Sequence, residues 1–150
     1  MFLWLTLHNK VPSNAERFER KMVHSPQCEI CSAEVEDLDH LLRYCPNATG
    51  AWQAIQQQGC YSSANNEGLH VWLRQNIIGA HEDLDWLTKF LITVWYIWKW
   101  RCVHCFDAME GVRREKDLFL SIKFKDILNA LSQDYQIKGL SITDCSEVGV

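Results

Sequence analysis

The sequence predicts an all-α fold: a small helical domain with a short cysteine-rich insert and one long, tryptophan-rich helix. Three observations carry this. Apolar residues recur at spacings of three and four in several stretches, and no convincing strand alternation accompanies them. The 150 residues are 47% hydrophobic, with seven tryptophans and six phenylalanines, enough for one core but not for two large ones. Seven glycines and three prolines are too few for a disordered or low-complexity chain.

Residues 2–9 read as a short apolar helix ending before Val11-Pro12, because Pro12 biases Val11 away from helical geometry. Ser13-Asn14-Ala15-Glu16 is a capping box, with Ser13 as N-cap and Glu16 at N3. It opens a helix to about residue 23, in which Phe18 and Met22 share a face and Arg17, Arg20 and Lys21 lie on others. Residues 24–46 are short, polar and metal-like. A third helix, residues 48–58, is anchored by Trp52 and Ile55. Residues 59–68 are loop-like, with Ser62, Ser63, Asn65 and Asn66 clustered. A fourth helix, residues 69–78, uses Trp72, Leu73 and Ile77 and is ended by Gly79.

The longest helical pattern covers residues 83–106, where Leu84, Leu87, Leu91, Val94, Trp95, Trp98 and Cys102 form a stripe. Trp86, Phe90, Ile97 and Trp100 widen it, so burial on most sides is expected. A last helix, residues 113–135, carries Leu118, Ile122, Ile127, Leu128 and Leu131. The tail after Gly139 reads as a strand-like or disordered end.

The net charge of −4 is unevenly spread. Residues 1–24 hold four bases against two acids, 25–88 two against nine, and 89–127 eight against five. An acidic chain is a poor autonomous nucleic-acid binder, because phosphate contacts supply most non-specific affinity. The local basic faces remain available for contact. The run 90–98 is too short to span a bilayer and residues 2–5 are too short for a signal segment, so no membrane partner is expected. Seven cysteines, an odd number with three in one cluster, fit a reduced intracellular setting better than a disulfide framework.

That cluster reads Cys28-Glu29-Ile30-Cys31, then His40 after eight residues, then Cys45 after four. Two thiolates two residues apart grip one metal from a tight turn, and His40 and Cys45 approach from the next element, a short helix over residues 37–44. Three thiolates and one imidazole make a tetrahedral site, and soft thiolates favour zinc over magnesium or calcium. Four protein ligands leave no open position for water or substrate, so the expected cofactor is one structural Zn2+. His24, Glu34 and Asp39 are the alternative ligands. The His-x-Glu of zinc deaminases does not precede Cys28.

Cys102, His104 and Cys105 invite a second metal, but two small buried cysteines and a partly exposed histidine explain them better. The aromatics Trp95, Trp98 and Trp100 read as core in preference to a base-stacking platform. Arg113, Arg114 and Lys116 read as a solvated basic face. Cys60 and Cys145 look isolated.

Several motifs together resemble the zinc-binding domain of plant reverse transcriptases from LINE-type (non-LTR) retrotransposons. They are Phe2-Leu3-Trp4, Leu7-His8-Asn9-Lys10-Val11-Pro12-Ser13-Asn14, Cys28-x-x-Cys31, Glu36-Asp37-Leu38-Asp39-His40-Leu41, Tyr44-Cys45-Pro46 and Trp52. Residues 95–101, Trp-Tyr-Ile-Trp-Lys-Trp-Arg, resemble the tryptophan-rich helix of those proteins. The resemblance implies that Cys28, Cys31, His40 and Cys45 are the zinc ligands. It also implies a place between an upstream reverse transcriptase domain and a downstream ribonuclease H domain. It sets residues 1–107 as the zinc-binding domain and 108–150 as a helical extension and tail. Cys102, His104 and Cys105 depart from the family pattern.

No Tyr-x-Asp-Asp or Phe-x-Asp-Asp pair is present to hold polymerase magnesium ions, so no catalytic role is expected. Two functions compete. One is a zinc knuckle whose parent protein contacts RNA or DNA, with Lys10, Arg17, Arg20, Lys21 and secondarily Arg43 as the contact residues. The other is a purely structural or protein-interaction module.

Overall fold

The computed structural model describes residues 2–56, 67–79, 83–106 and 116–137. Among the described residues the elements are helices α1 (Phe2–Leu7), α2 (Asn14–Glu19), a turn of π-helix (His40–Tyr44), α3 (Pro46–Gln56), α4 (Leu69–Ile77), α5 (Leu84–Phe106) and α6 (Lys116–Ile137). No strand occurs among them, as the all-α reading requires. None of these helices is long and apolar enough to cross a membrane.

The first two helices are shorter than their sequence patterns suggest, and both end in the same way. In α1 the amide of Lys10 donates to Leu5 and that of Asn9 to Thr6, with Asn9 at φ 52°. In α2 the amide of Met22 donates to Arg17 and that of Lys21 to Phe18, with Lys21 at φ 58°. Both are Schellman closures, with asparagine and lysine in the left-handed position that glycine usually takes. The Ser13 cap forms as expected, its hydroxyl accepting from the Glu16 amide at 3.3 Å. The early stop leaves Phe18 and Met22 exposed.

The core is built where α3, α4 and α5 meet. Trp52 of α3, Trp72 of α4 and Phe90 of α5 form a triad with ring centroids 5.1–5.4 Å apart. The indole of Trp52 donates to the carbonyl of Leu42 at 2.7 Å, which ties the π-helical turn to this core and satisfies a buried donor. Leu120 and Phe124 of α6 join the same buried cluster, while Ile122, Ile127 and Leu131 are exposed. Gly79 follows α4 as expected. A Cβ there would stand 2.4 Å from the Gln75 carbonyl oxygen, so only glycine lets the chain leave the helix this closely.

The face of α5 that is buried differs from the predicted stripe. Phe90, Val94, Ile97 and Arg101 are almost fully buried, whereas Leu84 and Trp95 are exposed. Trp95 and Trp98 meet Phe2 of α1, and Trp100 packs against Phe119 of α6. These tryptophans therefore sit on the margins between elements. The loop serines and asparagines, Cys60, Arg113, Arg114, Cys145 and the tail after Gly139 lie outside the described residues.

Trp52→Ala removes the triad's central ring and the indole bond to Leu42 together. Its expected cost is about 3–5 kcal/mol of stability, measured by urea denaturation with an unchanged m-value.

A candidate metal centre

Cys28 and Cys31 are presented by a tight turn. The amide of Ser32 donates back to Cys28 at 2.8 Å, and Ser32 takes φ 62° to reverse the chain. The amide of Cys28 donates to Ala33 and that of Glu36 to Pro26, which zips the two arms of the turn together. Asp37 starts the second element, its carboxylate accepting from the His40 amide at 2.7 Å. From there the chain winds as a π-helix, closed by the Cys45 amide donating to His40 at 2.8 Å. The wider winding has a purpose. In an α-helix, residues five apart point about 140° away from each other. The i to i+5 closure turns His40 and Cys45 toward the same side instead.

Four ligand atoms converge as a result. Those of Cys28, Cys31, His40 and Cys45 all lie within 4.8 Å of one another, and no other such group occurs among the described residues. The Cys28 and Cys45 sulfurs are 3.9 Å apart and the Cys31 sulfur is 3.3 Å from His40 Nε2. Metal–sulfur bonds of ~2.3 Å and metal–nitrogen bonds of ~2.0 Å in a tetrahedron call for edges of roughly 3.8 and 3.5 Å. The residues present therefore fit a tetrahedral ion, and 3.9 Å is far beyond a disulfide.

Burial governs the charge state of these thiols. Burial pushes the Cys45 thiol up to about 12, reinforced by the sulfurs of Cys28 and Cys31, and burial raises Cys28 as well. Anionic sulfur in this setting needs a positive charge among the ligands. His24 lies outside the group and lines a cleft of about 270 Å³ beside Cys28. Asp39 is engaged by Arg43 at 3.1 Å.

Behind the turn lies a buried polar network that the sequence reading missed. Glu36 and Arg101 form an ion pair at 2.7 Å, with each side chain about 1% exposed. Arg101 Nη2 also donates to Asn14 Oδ1 at 2.8 Å, and Asn14 Nδ2 donates to the carbonyl of Gln27, next to Cys28, at 2.7 Å. The Asn14 amide donates to Glu36 at 2.9 Å. The available signal was Arg101 itself, a charge that follows Lys99 in a tryptophan-rich helical run and requires an acid partner if it is buried. Burial opposes the Arg101 charge, but the Glu36 hydrogen bond and charge outweigh it and raise the guanidinium further.

Cys102 and Cys105 do not gather a third ligand among the described residues. Burial raises both thiols, Cys105 to about 12, despite the opposing charge of Arg101. Protonated and half-buried, they behave as small core residues. Of the basic residues, Lys10 and Lys21 are exposed, Arg20 pairs with Glu16 at 2.7 Å, and Arg17 donates to Asn14 at 3.0 Å. Arg43 is no surface contact. Its side chain is 2% exposed, donates to the Glu67 carbonyl at 2.8 Å, and lies over Tyr44 and Trp72.

Residues 1–52 match the family model described as zinc-binding in reverse transcriptase, a span that holds all four converging residues. A protein of Arabidopsis thaliana, named "Putative ribonuclease H protein", is 36% identical over 111 residues, which cover 70% of this chain and 17% of the relative. The chain thus spans about a sixth of that relative's length. No solved structure matches.

One divalent ion per chain, bound by three sulfurs and one nitrogen, is the expected result of X-ray absorption on the metal-loaded protein. A fitted oxygen ligand or a two-sulfur shell would contradict the geometry.

Proposed function

We propose, taking the reverse-transcriptase zinc-binding match of residues 1–52 as premise, that this chain is a non-catalytic zinc module of a retroelement protein. One structural Zn2+ is held by Cys28, Cys31, His40 and Cys45. The observation that carries this is the convergence of four soft ligands within 4.8 Å. Four protein ligands close a tetrahedron, so no position remains for a reacting water or substrate. The ion, when bound, supplies cross-linking of two loop arms; it activates nothing. The proposed module is residues 1–107, with residues 108–150 as a helical extension and tail; within it, α6 buries Leu120 and Phe124 in the common core.

In the parent protein the module works beside reverse transcriptase and ribonuclease H domains and assists their contact with RNA or DNA. Lys10 and Lys21, with Arg17 and Arg20 beside them, supply the phosphate-facing charge, since the knuckle itself is ringed by Glu34, Asp37 and Asp39. The exposure of Trp4 and Trp95, at 56% and 42%, favours a second reading, in which the module docks another domain and touches no nucleic acid.

Metal analysis of the purified chain should give one zinc, lost in Cys28→Ser and in His40→Ala together with helical signal. A folded wild-type chain without zinc would overturn the assignment. Binding of a single-stranded oligonucleotide should weaken as salt rises. Lys10→Glu/Lys21→Glu should cost about tenfold and flatten the salt slope. Unchanged affinity in that variant would favour the domain-docking reading.

A further inference from the structure

Residues 1–52 hold all four proposed ligands, yet the group that fixes their loop comes from α5. We infer that Arg101 is a positioning residue for the metal site, setting how tightly the ion is retained although it touches no ligand. The inference rests on the zinc reading above.

Two routes lead from the guanidinium to the ligands. One passes to Glu36, at 2.7 Å, which lies in the segment joining Cys31 to His40. The Glu36 amide in turn donates to Pro26 at 2.7 Å, on the arm leading into Cys28. The other passes to Asn14 at 2.8 Å and on to the Gln27 carbonyl at 2.7 Å, one residue before Cys28. Arg101 therefore pins both arms of the loop. The end of α5 is the floor on which the metal loop is laid.

A guanidinium suits this task. Its planar fork reaches Glu36 through Nε and Nη2 while Nη2 also reaches Asn14. Without it, Glu36 is a buried carboxylate with no counter-charge, and the loop must open to hydrate it. Such opening frees ligands one at a time, which raises the rate of metal loss. Partners that orient metal ligands from outside typically change metal affinity by about 10–100-fold.

The test uses the full chain loaded with zinc and follows release to a chromogenic chelator. Arg101→Met should release zinc at least about tenfold faster than wild type, and Glu36→Gln should move in the same direction. Arg101→Lys, which keeps the charge but not the fork, should fall between. Leu73→Ala, a cavity in fully buried α4 packing, controls for general destabilisation and should release zinc at the wild-type rate. If Arg101→Met does not fold, the comparison of Arg101→Lys with Leu73→Ala decides. Release from the Arg101 variants no faster than from Leu73→Ala overturns the proposal while wild type still carries one zinc. Absence of zinc from wild type overturns the zinc reading itself, and the proposal with it.

Discussion

Arg101 and Glu36 are 65 residues apart in sequence, yet their side chains meet at 2.7 Å with almost none of either exposed. The pair joins three parts of the chain: the start of α2 through Asn14, the metal loop through Glu36, and α5. A buried ion pair contributes little net stability over an apolar replacement, but losing one partner costs several kcal/mol. Its effect here is on register. The observed placement of the loop on α5 brings carboxylate, carboxamide and guanidinium within hydrogen-bonding distance of one another.

The same region shows what the proposed metal would supply. Between α2 and the π-helical turn, the fully buried apolar residues are Cys28 and Leu38, and the rest of the loop is polar or half-exposed. Such a segment cannot offset its own ordering entropy by burial. A tetrahedral ion binds with roughly 10–16 kcal/mol in comparable small sites, which is ample to close it. Leu41 and Leu42, between the last two ligands, are buried, and Leu42 accepts the Trp52 indole. Metal loop and aromatic core are thus joined at two points, the π-helical turn and the Arg101 network.

On the proposed reading, the module contributes placement. Its four ligands would be used up by the ion, its neighbouring thiols at Cys102 and Cys105 are held protonated by burial, Asp37 caps the π-helical turn, and Asp39 pairs with Arg43. The exposed lysines at either end of the segment from Lys10 to Lys21 and the half-exposed aromatics on α1 and α5 are among the surfaces open to other molecules in the described residues.

Helical spacing and the grouping of Cys28, Cys31, His40 and Cys45 were legible in the sequence because both are local signals. A run of apolar residues at three and four apart, or two cysteines flanking two residues, carries its meaning within one or two turns of chain. Helix ends were less legible. Asn9 and Lys21 close their helices in the left-handed conformation without glycine, and nothing in residue type marks that choice. Which face of α5 is buried, the burial of Arg43, and the meeting of Asn14, Glu36 and Arg101 were decided by the tertiary structure alone. Each depends on which distant element arrives opposite a given side chain, and a charge within an apolar run states that a partner must exist without stating where in the chain it lies.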